Sequence, residues 1–167
     1  MAVRNILKLG ALDASKTAFF LCDIQETFRI HVKYFGEVVK VANKMMEAAK
    51  HFKIPVYVSE QYPKGLGPTT KEIKVEEATF VYPKTTFSMV TPELKDRLQK
   101  DVPDLKSVVL VGIERFQSIG CFVSTSENVL FKLMKDKNHP VFKQISKLNL
   151  EPTSDTLGFN LAENIKQ

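Results

Sequence analysis

The segment Lys16-Thr-Ala-Phe-Phe-Leu-Cys-Asp-Ile-Gln25 sets the architecture of this chain. Residues 18–22 are all apolar or small, and the run stops abruptly at Asp23. An apolar run without alternation is typical of a strand buried on both faces of a parallel sheet. Because ligands of open α/β sheets bind beyond the carboxyl ends of the strands, we expect Asp23 in the binding crevice. The alternative is that Asp23 is the N-cap of a following helix.

The rest of the chain alternates helical and strand patterns. Apolar residues recur every three or four positions between Val32 and His51, which predicts an amphipathic helix. Thr91 and Pro92 predict the start of another helix, with Thr91 as the N-cap. We predict strands over 54–59, 78–82 and 106–114, with the last one central, and further helices over 127–135 (capped by Ser126) and 140–148. This order predicts an α/β fold, a doubly wound parallel sheet flanked by helices in three layers.

Length and composition are those of one globular domain. We predict a single domain over residues 1–167, with a leader over 1–15 and a partly ordered tail over 151–167. The cysteines, Cys22 and Cys121, lie in apolar runs and are interpreted as buried, reduced thiols. The sequence has no long apolar stretch and no signal-peptide core, so we expect no membrane association and a cytoplasmic location, with an organelle or the nucleus left open.

The charge balance is basic, with a formal net charge of +5 and an isoelectric point near 9.1. A basic protein has to be considered as a nucleic-acid binder. Here the lysines are spread along helical faces among glutamates, and no block of like charge occurs. The pattern favours a solvated surface over a nucleic-acid groove.

Two charged side chains follow predicted strands, Asp23 after the first and Lys84 after the third. Both are expected at the same edge of the sheet, where a carboxylate and an ammonium held close together form a proton-transfer pair. The turn-rich segment Glu60 to Thr70 follows the second strand at that edge. We expect it to be a loop or lid that contacts substrate.

Four motifs in order carry a resemblance to a known family. They are Phe20-Leu-Cys-Asp-Ile-Gln-Glu26, Ser59-Glu-Gln-Tyr-Pro-Lys-Gly-Leu-Gly67, Lys84-Thr-Thr-Phe-Ser-Met89 and Val109-Leu-Val-Gly-Ile-Glu114. The chain resembles the isochorismatase-like hydrolase superfamily, in particular the branch of animal isochorismatase domain-containing proteins. The resemblance implies a homo-oligomer acting on a small-molecule substrate, without a cofactor.

The resemblance also implies roles for individual residues. Most relatives use an Asp, Lys and Cys triad, in which the Asp takes the thiol proton and the Cys attacks an amide or related carbonyl. Asp23 matches the base and Lys84 the electrostatic partner. We expect the substrate pocket to be formed by Phe28, Gln61, Tyr62 and Phe87. Some relatives bind a metal, but His31, His51 and His139 are scattered here, so we expect no metal.

The chain departs from the family pattern after Glu114, where the nucleophilic Cys and its helix are expected. Arg115-Phe-Gln-Ser118 follows instead, and the stretch from Arg115 to Gly120 resembles the end of a later family helix. Between the predicted strand ending at Ile113 and the apolar run beginning at Cys121 the chain is shorter than the ten to twelve residues, roughly, that a parallel crossover needs. Either a strand and helix are deleted, so that the second run pairs differently or leaves a gap, or the printed sequence omits a segment.

Neither remaining cysteine replaces the missing one by simple reasoning. Cys121 lies within an apolar β-run, where an inert thiol is the better interpretation. Strand alternation places Cys22 on the opposite face from Asp23.

The leading hypothesis is therefore a small-molecule cysteine hydrolase whose Cys lies in the missing segment. Three alternatives stay open. The first is a cysteine-free hydrolase that cleaves a vinyl ether by protonation from Asp23. The second is a catalytically inactive scaffold or interaction protein, and the third, suggested only by the basic isoelectric point, is a nucleic-acid processing protein.

Overall fold

The described part of the chain is built around four parallel strands. The computed structural model describes residues 12–113 and 125–150. The strands are β1 (Thr17–Cys22), β2 (Val56–Gln61), β3 (Phe80–Lys84) and β4 (Ser107–Gly112), in the spatial order β3-β2-β1-β4. All three pairings are parallel. The order runs outward from β1 in both directions, so the topological switch point lies between β1 and β4, and the predicted doubly wound fold is confirmed.

Helices cover both faces of the sheet. They are α1 (Phe35–Phe52), α2 (Pro63–Leu66), α3 (Pro92–Asp101), α4 (Ser126–Met134) and α5 (Phe142–Leu150), with 3-10 helices at Ala14–Lys16, Glu26–Ile30 and Val75–Glu77. Thr91 caps α3 as predicted, since its Oγ1 accepts a hydrogen bond from the Leu94 amide at 3.2 Å. The predicted cap of α4 was wrong by one residue: Thr125, not Ser126, is the N-cap.

Alternate side chains of β1 enter two separate cores. Phe19 and Leu21 pack with α1, α4 and α5 on one face, whereas Phe20 and Cys22 pack on the other with a second cluster that includes Leu94 of α3. All six residues of β1 are buried. The uninterrupted apolar run therefore has the cause inferred from the sequence, a strand covered on both faces within a three-layer fold.

The prediction of β4 as a central strand stays untested, because the chain that directly follows it lies outside the described residues. Within the described residues β4 pairs on one side only, with β1, and Val108 is 44% exposed. The apolar sequence of β4 has the character of a two-face buried strand, but a strand's place in the sheet depends on its neighbours. The leader up to residue 11, the junction after Ile113 with Cys121, and the tail from residue 151 lie outside the described residues. The organisation as one domain stays a prediction.

β1 and β4 approach closely at their carboxyl ends. Gly112 pairs with Cys22, and a Cβ atom at position 112 would lie 2.5 Å from the Cys22 carbonyl oxygen. A side chain of any kind therefore cannot be placed there without moving one of the strands.

Candidate active site

Asp23 occupies an unusual backbone conformation directly after β1. Its φ of 54° lies in the left-handed region, which Asp and Asn tolerate better than most other residues. The Asp23 amide donates to the Ser59 carbonyl at 3.2 Å, and the Gln25 amide donates to the Asp23 carbonyl at 2.9 Å. The alternative role as a helix N-cap is wrong, because Gln25 is the N-cap of the following 3-10 helix.

The structure brings Asp23 and Lys84 into direct contact. Lys84 Nζ donates to Asp23 Oδ2 at 2.6 Å, although the two residues lie 61 positions apart in the sequence. The residues are 3% and 5% exposed, respectively. The contact is therefore a buried ion pair at the carboxyl edge of the sheet, where ligands of this fold class bind. Because the electric field of a charged pair held away from water is weakly screened, such a pair is suited to stabilising charge on a nearby group.

Strand β2 lies between β1 and β3 and supplies two polar partners to the pair. Ser59 Oγ donates to Asp23 Oδ1 at 2.8 Å. Gln61 Oε1 accepts from Lys84 Nζ at 2.7 Å. Lys84 Nζ also donates to the Thr86 carbonyl at 3.3 Å, so each of its three protons has an acceptor.

Cys22 lies nearer to the pair than strand alternation predicts, and that prediction was wrong. Cys22 Sγ is 3.6 Å from Asp23 Oδ2 and 3.8 Å from Ser59 Oγ. The left-handed backbone at Asp23 breaks the alternation and turns its carboxylate toward both side chains. The neighbouring Tyr82 phenol has a raised pKa because it is buried and lies close to Cys22 and Asp23. Its hydroxyl donates to the Met89 carbonyl and is therefore neutral at physiological pH.

The segment after β2 is held in place by buried Gln25. The Gln25 amide group donates to the carbonyls of Gln61 and Gly67, and its Oε1 accepts from the Gln61 amide at 2.8 Å. Thr27 Oγ1 adds a bond to the Leu66 carbonyl at 2.6 Å. These bonds make the segment a fixed wall beside the pair.

The predicted pocket residues have different environments. Tyr62 is 53% exposed, with a left-handed backbone (φ 36°) and an amide that donates to the Lys84 carbonyl at 2.7 Å. Phe87 is 86% exposed in the segment after β3, and Phe28 is partly buried against the larger core. Gln61 directs its amide to Lys84 and Thr85. Of the four, only Gln61 contacts the ion pair directly through its side chain, and the pocket as a whole stays a prediction.

Ser59, Cys22 and Gln25 are the site residues that the sequence analysis missed. Ser59 could have been found, because it is a polar residue at the end of a buried strand and its register partner is Cys22, next to Asp23. Gln25 is fully buried although its type is usually exposed. No pattern in the sequence indicates the left-handed turn that brings the Cys22 thiol to the carboxylate.

No metal cluster and no membrane helix occur in the described ranges. Residues 12–113 and 125–150 contain no group of three or more His, Cys, Asp or Glu side chains placed to hold a metal ion. His51 is near Glu47, and His139 lies against the Phe52 ring. None of the helices in these ranges combines the length and apolar character needed to cross a bilayer.

A doubly wound sheet with a buried Asp–Lys pair at its carboxyl edge defines an α/β fold that carries an ion pair where ligands of this fold class bind. Comparison with known proteins makes the class specific. The isochorismatase domain model matches residues 17–117, and the chain belongs to this family. Membership supports a hydrolase, as the motifs from Phe20 to Glu114 predicted.

Individual relatives match over most of the chain. It is 36% identical to isochorismatase domain-containing protein 2 of Xenopus laevis, across 91% of this chain and 92% of the frog protein. A solved structure of MAR1 ribonuclease from Caenorhabditis elegans is 29% identical with a TM-score of 0.74, covering 87% of this chain and 95% of that one. The YcaC gene product of Escherichia coli, described as an octameric hydrolase of unknown specificity, has 19% identity and a TM-score of 0.53, covering 62% of this chain and 52% of that one.

The alignment with the frog protein also shows that this chain is internally shorter. It has 191 positions, whereas 91% of the 167 residues is about 152, so about 39 positions have no residue of this chain. Gaps of this total length are large enough for the strand and helix inferred to be missing after Glu114. That junction itself lies outside the described residues.

Proposed function

We propose that this protein is a hydrolase of a small amide-like or related substrate, with Asp23 as the base and Lys84 as its electrostatic partner. The observation that carries the proposal is the buried contact of 2.6 Å between Lys84 Nζ and Asp23 Oδ2. It is supported by membership of the isochorismatase domain family.

The ion pair suggests a division of labour between the two residues. The Asp23 carboxylate accepts the proton of the attacking group and returns it to the leaving amine, which is general base and then general acid catalysis. Lys84 keeps a positive charge beside the carboxylate and beside negative charge that develops on the substrate. In the family pattern the attacking group is a cysteine thiol, which belongs to the segment expected after Glu114.

The first test is hydrolysis with and without the base. The purified protein is incubated with p-nitroacetanilide and a panel of small primary amides, and nitroaniline or ammonia release is measured. Loss of general base catalysis is expected to slow Asp23→Asn about a hundredfold or more, and Lys84→Met is expected to fall with it. Glu37→Gln, which changes an exposed ion pair with Lys40, is the matched control. Full turnover in Asp23→Asn would refute the assigned base.

A thiol reagent distinguishes the two chemical routes. If N-ethylmaleimide abolishes turnover of both the native sequence and Cys22→Ala while the fold is retained, a cysteine other than Cys22, whose thiol lies 3.6 Å from the Asp23 carboxylate, is the nucleophile. If activity survives alkylation, the cysteine-free route with protonation by Asp23 replaces it. Absence of turnover on every substrate, with no covalent adduct from an electrophile, would instead favour an inactive scaffold.

RNA hydrolysis is a second candidate, because the Caenorhabditis elegans relative is described as a ribonuclease. The basic net charge of this chain is compatible with an anionic substrate. The decisive measurement is RNA binding and cleavage at low salt, where counterion release favours binding most. No binding under those conditions would eliminate this candidate.

We also propose a homo-oligomer, in line with the octameric description of the Escherichia coli relative. Light scattering on the purified chain tests this assembly, and the mass of a monomer, 18.9 kDa, would contradict it. The cytoplasmic location stays a prediction.

A further inference from the structure

The middle strand of the site, β2, contacts both members of the ion pair. Ser59 and Gln61 are two positions apart, so their side chains project from the same face of the strand. In the register of the sheet, Ser59 lies opposite Cys22 on β1, and Gln61 lies opposite Lys84 on β3. A single strand therefore carries one polar partner for the carboxylate and one for the ammonium.

Ser59 determines how the Asp23 carboxylate is presented. Of the two oxygens, Oδ2 accepts from Lys84 Nζ at 2.6 Å and faces Cys22 Sγ at 3.6 Å. Oδ1 accepts from Ser59 Oγ at 2.8 Å and has no second donor among the described residues. Since a carboxylate oxygen has about two acceptor positions, Oδ1 has one left. The lone-pair count points to Oδ1 as the atom that receives a proton.

Gln61 determines how the Lys84 ammonium is presented. Its Oε1 accepts from Lys84 Nζ at 2.7 Å, and its Nε2 donates to the Thr85 carbonyl at 3.0 Å. If the Gln61 side-chain amide were reversed, its N–H groups would face the Lys84 ammonium, which is itself a donor. Only the observed orientation therefore fits both the ammonium and the Thr85 carbonyl. The backbone of Gln61 is itself tied to the side chain of Gln25. Gln61 is thus fixed at both ends.

We infer that Ser59 and Gln61 are positioning residues, which act through Asp23 and Lys84. The expected effect of these two residues on the hydrolysis rate rests on the proposed function, whereas their expected effect on the Asp23–Lys84 ion pair rests on geometry alone. Ser59 holds the carboxylate with Oδ1 available, and Gln61 holds the ammonium against Oδ2.

The first part of the experiment, NMR of the Lys84 ammonium group, needs no substrate. Lysine ammonium protons give 15N-correlated NMR signals when hydrogen bonds slow their exchange with water, and Lys84 is assigned by its loss in Lys84→Met. Gln61→Met keeps nearly the same side-chain length but removes the amide acceptor. Because a hydrogen bond to a charged group is strong, its loss is expected to quicken the exchange of the Lys84 ammonium protons with water about tenfold or more. Gln61→Glu keeps an acceptor and should restore slow exchange. Gln144→Met, an exposed change on α5, is the control.

Ser59 is tested in the same spectra and, where an amide is hydrolysed, by kinetics. Ser59→Ala frees the carboxylate to rotate, which is expected to quicken Lys84 exchange several-fold and to lower kcat about tenfold with KM within about twofold. Ser59→Thr keeps the hydroxyl and should restore both. Ser107→Ala, a serine at the start of β4, is the control. Thermal unfolding shows that each variant is folded.

Two outcomes would overturn the inference. One is unchanged Lys84 exchange in both Gln61→Met and Ser59→Ala. The other is equal exchange in Ser59→Ala and Ser59→Thr, because a role in packing alone would not distinguish the hydroxyl. If no amide is hydrolysed but the exchange rates change as expected, the proposed function fails and the positioning of the pair stands.

Discussion

Removing Lys84 alone should cost much more stability than removing both members of the Asp23–Lys84 pair. Lys84→Met removes the ammonium partner of the Asp23 carboxylate, and Asp23 is only 3% exposed. The Ser59 hydroxyl still donates a hydrogen bond to that carboxylate. An unpaired buried charge of this kind costs about 3–5 kcal/mol. For a chain of this length each kcal/mol shifts the unfolding temperature by about 2–4 °C, so we expect a fall of roughly 6–20 °C. Asp23→Asn should cost less, since Gln61 and Thr86 still accept from the ammonium.

The double-mutant cycle makes this expectation quantitative. Asn tolerates the left-handed backbone at position 23, so the substitution tests the charge and not the turn. Free energies of unfolding are measured by urea denaturation for the native sequence, both single variants and the double variant. We expect a coupling energy of about 2 kcal/mol or more, with the double variant close to the milder single one. Additive effects, or a cost below about 1 kcal/mol for Lys84→Met, would refute the reasoning, because they are typical of a solvent-screened pair.

Two further predictions concern the surroundings of the site. Gly112→Ala would place a Cβ 2.5 Å from the Cys22 carbonyl oxygen and 2.9 Å from the Cys22 Cβ. The substitution should therefore lower the free energy of unfolding by about 1–3 kcal/mol. An unchanged unfolding temperature would contradict the close approach of β1 and β4. Burial raises the pKa of Glu127, but hydrogen bonds from Lys44, the backbone and Ser126 bring it from 4.5 down to about 2. The contribution of the Glu127 carboxylate to the free energy of unfolding is therefore complete above about pH 4.5 and is lost as the pH falls toward 2. Glu127→Gln should flatten the pH dependence of the unfolding free energy in that window, and an unaltered curve would show that the Lys44 contact is unimportant.

The sheet was largely predictable because buried parallel strands have a strong signature. β1 was predicted within a residue, and Asp23 and Lys84 were predicted at strand ends, where their side chains prove to be in contact. Boundaries of later elements shifted by one or two residues, as at α5. The apolar sequence of β4 predicts that it can be covered on both faces, but not which strands lie beside it, and its place as a central strand stays a prediction.

The arrangement around the carboxylate was less predictable for a specific reason. Period-two alternation holds only while the backbone stays extended, and Asp23 leaves the extended region with a φ of 54°. One residue in a left-handed conformation is enough to bring the side chains of neighbouring positions 22 and 23 together. Sequence patterns describe regular structure, and this site begins where the regularity ends.

Within residues 12–113 and 125–150, the side chains and carbonyls that contact the Asp23–Lys84 pair come from residues 22–86, in β1, β2, β3 and the turns that follow them. The part of the chain that is shortened relative to its relatives was inferred to lie after Glu114, beyond β4. The residues that hold the pair together and the stretch in which this chain is inferred to be shorter than its relatives are thus encoded in separate parts of the gene. A change of length in the later part leaves every residue of the described hydrogen-bonded cluster in the sequence, so the two parts can vary independently of each other.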